Sequence, residues 1–124
     1  MKGIYVIGKV NELQTTMLVD TGASVSTLSS KFLANSSLKD KLDVKSSNIY
    51  LTTANGESVP VQGECYVEIS LGNGKFCQNL VVADIQNEFI LGLDFMTNHH
   101  CDILLRQMKL KLTTQKQRVL HTKL

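Results

Sequence analysis

Residues Thr16-Met17-Leu18-Val19 form a β-branched and apolar run that stops abruptly at Asp20-Thr21-Gly22-Ala23-Ser24. Such a run suits a buried strand. Gly22 lets the chain turn and lets other groups approach its backbone closely. Together they predict a strand that ends in a turn and presents Asp20 at the mouth of an apolar element. Asp20 is the sole charge between Glu12 and Lys31. An Asp that merely caps its own turn has the same local sequence, so the rest of the chain must decide.

Much of that chain reads as short strands. Residues 3–10 and 13–19 are rich in Ile, Tyr and Val, with Val10-Asn11-Glu12 as the turn between them, so an opening hairpin delivers Asp20. Val25-Ser26-Thr27-Leu28 is also extended, and Ser29 or Ser30 can cap a short helix over 31–34. Residues 35–47 read as a polar loop anchored by Leu38 and Leu42. Two Asn-Gly dipeptides, Asn55-Gly56 and Asn73-Gly74, sit where tight primed turns join antiparallel strands. The second hairpin, 65–82, alternates apolar and polar residues and belongs to the core. The first carries Thr, Ser and Pro60, which places it at an exposed sheet edge. Residues 89–96 predict a buried strand turning at Gly92 into a short helix over 93–98. Residues 102–105 and 109–112 predict a last hairpin, and little fixed structure is expected beyond Thr114.

The length of 124 residues suits one domain. A content of 43% hydrophobic and 19% charged residues fits a folded globular protein. Six of the 13 basic residues and none of the 11 acids lie at 106–124, which leaves net −4 on the rest. A basic tail can touch nucleic acid, but charges interleaved with Leu and Thr fit a solvated strand face, so nucleic acid is not an expected partner. No apolar run approaches the roughly 18 residues of a membrane span, and Met1-Lys2-Gly3-Ile4-Tyr5-Val6 lacks the apolar segment and small-residue cleavage site expected of a signal peptide. Three cysteines without C-x-x-C spacing fit reduced thiols. An intracellular, cytoplasmic protein without a membrane partner is the expectation.

Three stretches in order, Asp20-Thr21-Gly22-Ala23-Ser24, Ala54-Asn55-Gly56 and Ile90-Leu91-Gly92-Leu93-Asp94-Phe95-Met96, carry a family likeness. The chain resembles the retropepsins, the aspartic proteases of retroviruses and long-terminal-repeat retrotransposons, and the gypsy-type elements most of all. The likeness covers residues 4–113. It implies an all-β, retropepsin-like acid protease fold, with one lobe per chain, a flap hairpin and one short C-terminal helix. It implies a protease domain over 1–114 and a basic, flexible tail over 115–124.

Hydrolysis with water as the nucleophile needs one carboxylate as base and another as acid. Two carboxyls in one site share a proton because both cannot ionise together. This chain has one Asp-Thr-Gly, and the family position of Asp94 is structural, so the second Asp20 must come from a second chain on a two-fold axis. The resemblance makes Asp20 catalytic and gives Thr21 a hydrogen bond across the dimer axis. It has Gly22 support the carboxylate and, with Ala23 and Ser24, contact substrate. Ala54, Asn55 and Gly56 form the flap tip, and Ile90 and Leu91 line the pockets. The expected substrate is an extended peptide or polyprotein, the assembly is a homodimer, and no cofactor or metal is implied. His99-His100-Cys101-Asp102 offers metal-ligand types, but neighbouring side chains seldom converge on one ion.

Many retroviral members carry an acid where Ser24 stands and more glycines at the flap tip, and their dimers often interleave chain ends. This chain instead runs on through a basic hairpin, so residues 102–112 are a candidate interface. Two other readings remain at this level: a non-catalytic dimerisation or peptide-binding domain, and the protease-like domain of a cellular ubiquitin-linked shuttle protein.

Overall fold

The opening hairpin forms as the sequence predicts. Strands β1 (Ile4–Val10) and β2 (Leu13–Val19) pair antiparallel from Ile4↔Val19 to Val10↔Leu13. Both residues of the turn, Asn11 (φ 43°) and Glu12 (φ 77°), are left-handed, which matches the twist of the paired strands. Asn11 is held from outside as well. Its N–H donates to the Glu68 carbonyl at 2.8 Å, and its Oδ1 accepts from the Glu68 N–H at 2.7 Å. The computed structural model describes residues 3–99 and the strand segments 101–104, 109–112 and 118–121.

After the Asp20 turn come β3 (Thr27–Ser29) and the helix α1 (Ser30–Ala34). The Ser29 hydroxyl caps that helix by accepting from the Phe32 N–H at 3.1 Å. The small hairpin β4 (Leu51–Thr52) and β5 (Ser58–Val59) precedes two long strands, β6 (Val61–Leu71) and β7 (Gly74–Ala83). Then follow β8 (Phe89–Leu91) and α2 (Leu93–Asn98). Six strands close a barrel in the order β1-β2-β8-β3-β7-β6. Met17, Leu28, Ile69, Leu80, Phe89 and Phe95 fill it, all fully buried; each contributes about 1.5–3 kcal/mol by leaving water. β2 pairs parallel with β8, and β3 antiparallel with β8. These two contacts bring the ends of β2 and β8 together, and with them the first and third motifs. The barrel is the all-β fold expected.

Neither Asn-Gly dipeptide occupies the centre of a primed turn. Between β6 and β7, Leu71 pairs with Gly74, so the turn is Gly72-Asn73, and Gly72 takes the positive φ of 56°. At the other hairpin, the Gly56 N–H donates to the Thr53 carbonyl at 2.9 Å and the Thr53 N–H to Glu57 at 2.8 Å. Ala54 and Asn55 are therefore the central pair, and Gly56 (φ 82°) follows them. Each turn needs positive φ at one position only, and strand register decides which glycine supplies it.

The last described strands, β9 (Cys101–Leu104), β10 (Lys109–Leu112) and β11 (Arg118–His121), form a separate sheet in the order β11-β10-β9. The expected final hairpin is β9–β10, in register from Lys109↔Leu104 to Leu112↔Cys101. Beyond Thr114 the structure differs from expectation. Residues 118–121 pair with the remaining edge of β10, because an unpaired edge is a template for any nearby extended segment. Among the described residues no helix is long and apolar enough to cross a membrane.

Cys65 is buried in the core on β6, whereas Cys77 is exposed on β7. Burial pushes the Cys65 thiol up to about 11. The unfolded chain releases that proton at lower pH, so the stability contributed by the buried thiol is complete below the unfolded pKa and declines as pH rises towards 11. The stability gap between wild type and Cys65→Ala should therefore narrow from about pH 8 to about pH 10. Urea unfolding at both values measures it; a constant gap would contradict the assignment.

Candidate active site

Val19, the last residue of β2, is buried, and Asp20 emerges half-buried just beyond it. The Asp20 N–H donates to the Leu91 carbonyl at 3.1 Å, which extends the β2–β8 pairing by one residue. The chain then turns tightly, with the Ala23 N–H on the Asp20 carbonyl at 3.2 Å. The same turn aims the Gly22 N–H at Asp20 Oδ1, 2.9 Å away. A Cβ at Gly22 would stand 3.2 Å from that oxygen, so glycine gives the carboxylate room to reach the amide. The second carboxylate oxygen has no donor among the described residues.

The loop is clamped from one side by the start of α2. Leu93 N–H donates to the Ala23 carbonyl at 2.8 Å and Asp94 N–H to Ser24 at 3.2 Å. Asp94 completes the clamp with its side chain. Its Oδ1 accepts from the Ser26 N–H at 2.9 Å, the Ser26 hydroxyl at 2.7 Å and the Phe95 N–H at 2.7 Å. Its Oδ2 accepts from Gln78 Nε2 at 3.2 Å. Buried Ser26 in turn accepts from the Gly92 N–H at 2.9 Å. Charge-assisted bonds of this kind contribute about 1.5–3 kcal/mol each. The chain is extended by Gln78 to His99, whose ring lies against Phe76 and Phe95. Asp94 thus holds the loop that carries Asp20.

Above the loop lies a cleft of about 670 Å³. Asp20, Gly22, Ala23 and Ser24 line its floor, Ile90 joins them from β8, and Ala54 joins them from the hairpin 51–59. Six of the ten residues proposed from sequence thus meet in one place. Thr21 is exposed on the loop, and Asn55 and Gly56 are exposed at the hairpin tip, outside the lining. Leu91 is a correction. It is fully buried in the barrel core and stands outside the lining of the cleft, because successive residues of β8 face opposite ways and Ile90 takes the cleft side. Only its carbonyl serves the site.

Sequence reasoning missed the wall residues Ile49, Tyr50 and Ile85 and the clamp residues Ser26 and Gln78. The sole local sign for Ser26 is a hydroxyl in a run otherwise fit for burial. Of the run His99-His100-Cys101-Asp102, only the His99 side chain lies within the described residues.

A family model described as "gag-polyprotein putative aspartyl protease" matches residues 6–98. DNA damage-inducible protein 1 of Yarrowia lipolytica is 28% identical over 115 residues, which cover 91% of this chain and 28% of that protein. The chain thus spans little more than a quarter of that relative. Among solved structures, the retroviral protease-like domain of Ddi1 from Leishmania major superposes with a TM-score of 0.77 at 18% identity, over 100% of this chain and 96% of that one. The EIAV protease, solved in complex with the inhibitor HBY-793, gives 0.64 at 25% identity, over 78% and 88%. With three-quarters of its length inside the family model and a barrel shared with both structures, the chain belongs to the gag-polyprotein aspartyl protease family and has the retropepsin-like fold.

Proposed function

We propose that the chain is an aspartic endopeptidase, active as a homodimer in which each copy supplies one Asp20. One observation carries this reading. Among the described residues Asp20 is the only carboxylate lining the cleft, with one oxygen held by the Gly22 N–H and no donor on the other. A lone carboxylate cannot be general base and general acid at once. Two of them, related by a two-fold axis, can share one proton and divide the roles. The ionised partner takes a proton from a water that attacks the peptide carbonyl. The protonated partner donates to the carbonyl oxygen, and the proton then passes to the leaving nitrogen as the C–N bond breaks.

The other residues take supporting roles. Thr21, exposed beside Asp20, bonds across the axis. The Gly22 carbonyl, Ala23 and Ser24 meet substrate backbone, and the hairpin with Ala54, Asn55 and Gly56 closes from above. An extended peptide or polyprotein segment suits a cleft between strands, where main-chain bonds give affinity and alternate side chains enter pockets. The site belongs to an intracellular, cytoplasmic enzyme on this reading. The likeness to a Ddi1 protease-like domain supports a second reading, in which the same dimer works within a longer host protein.

Dilution tests the central claim. Specific activity on a peptide library should fall as the dimer dissociates, since a monomer holds half a site. Sedimentation at each concentration gives the dimer fraction. Constant specific activity in solutions that contain only monomer would overturn the proposal.

A further inference from the structure

The hairpin 51–59 forms one wall of the cleft, yet residues 52–58 are all exposed and only two residue pairs join its strands. Its position must be set at its roots. One root is Pro60, whose carbonyl accepts from the Asp84 N–H at 3.0 Å. The other is a cluster around Glu64 on the outward face of β6. Lys45 and Glu64 exchange both main-chain hydrogen bonds, each 2.8 Å. A Cβ at Gly63 would lie 2.2 Å from the Lys45 carbonyl oxygen, so glycine lets this segment seat on the barrel. Both Glu64 carboxylate oxygens are then engaged: Oε2 accepts from the Ser47 hydroxyl at 2.5 Å, Oε1 from Asn79 Nδ2 at 2.7 Å. Ser47 Oγ also accepts from the Ile49 N–H at 3.0 Å, and Ile49 is the first residue of the cleft wall.

We infer that Glu64 is a positioning residue of the cleft: through Ser47 it clasps the root of the hairpin to β6 and β7 and so fixes the wall against which a peptide lies. The inference rests on the peptidase reading for its kinetic consequence, but its structural content can be measured without catalysis. Glu64 lies in the outward row with exposed Tyr66, while Cys65, Val67 and Ile69 face the core. Loss of its carboxylate therefore leaves the barrel packed and frees the hairpin root.

The test uses the full chain with Ser47→Ala, Glu64→Ala, the double variant and Glu64→Gln, in which the amide oxygen still accepts from Ser47. Amide hydrogen exchange at Lys45 and Thr53 should rise about tenfold in each alanine variant, with the amides that bond β6 to β7 unchanged. The double variant should add nothing further, because one clasp is broken in all three. Glu64→Gln should exchange like wild type. On peptide substrates KM should rise about tenfold with kcat within about twofold, a loss of binding rather than of chemistry. Unchanged exchange at Lys45 and Thr53, additive effects in the double variant, or equal acceleration across β6–β7 would each overturn the inference. A chain that shows the exchange pattern yet cleaves no peptide supports the clasp and overturns the peptidase reading instead.

Discussion

Asp20→Asn is expected to lower kcat/KM by about 10²–10⁴-fold, the range associated with loss of a positioned acid–base group. Asparagine has the same shape as aspartate and keeps an oxygen for the Gly22 N–H, now at 2.9 Å. The turn closed by the Ala23 N–H and the clamp from Leu93 and Asp94 use no atom that the substitution alters. Folding and assembly should persist, then, while neither copy can take or give a proton. Circular dichroism and sedimentation establish the first point, and kcat/KM at concentrations that hold the dimer measures the second. Turnover within a fewfold of wild type would remove Asp20 from the chemistry. An inactive but monomeric variant would show that the carboxylate serves assembly as well.

The parts of this site that were legible in the sequence are those that local chemistry dictates. An apolar run before Asp20-Thr21-Gly22 places the acid at a strand end, and β2 ends there. Gly92 between an apolar run and a helix-forming one marks a turn, and α2 begins at the next residue. What escaped was set by distance along the chain or by register. Ser26 and Asp94 lie 68 residues apart, and nothing in either neighbourhood announces the other. The resemblance gives both Ile90 and Leu91 a pocket role, and Phe89-Ile90-Leu91 is apolar throughout. A run without alternation cannot say which residue faces the cleft. The Asn-Gly dipeptides named the right hairpins but not the residues at the turns. The pairing Leu71↔Gly74 places the turn at Gly72-Asn73, and that choice belongs to β6 and β7 as a pair. The clasp at Glu64 depends likewise on a loop and two strands meeting.

Gly92→Ala should be the most damaging single-methyl change in the clamp. The backbone at Gly92 (φ −97°, ψ −176°) is extended and open to any residue, so conformational freedom is not what glycine provides here. Space is. A Cβ would lie 2.8 Å from the carbonyl carbon and oxygen of Val25 and 2.9 Å from the carbonyl oxygen of Ala23. All three are main-chain atoms and cannot rotate away. Relief requires the 20–26 loop to part from α2, which strains the bonds Leu93 N–H to Ala23 and Gly92 N–H to Ser26 Oγ, 2.8 and 2.9 Å. Overpacking and weakened hydrogen bonds together give about 2–4 kcal/mol, or a fall in Tm of about 10 °C for a domain of this size. Activity should drop further than stability, measured well below the new Tm, because the displaced loop carries Asp20. Gly56→Ala is the control. A Cβ there meets nothing within 4 Å, and only the φ of 82° opposes it, at a cost of about 1–2 kcal/mol. If Gly92→Ala lowers Tm no more than Gly56→Ala does and leaves kcat/KM within a few fold of wild type, the contact between the two loops is looser than these distances state, and Asp20 is held by its own turn alone.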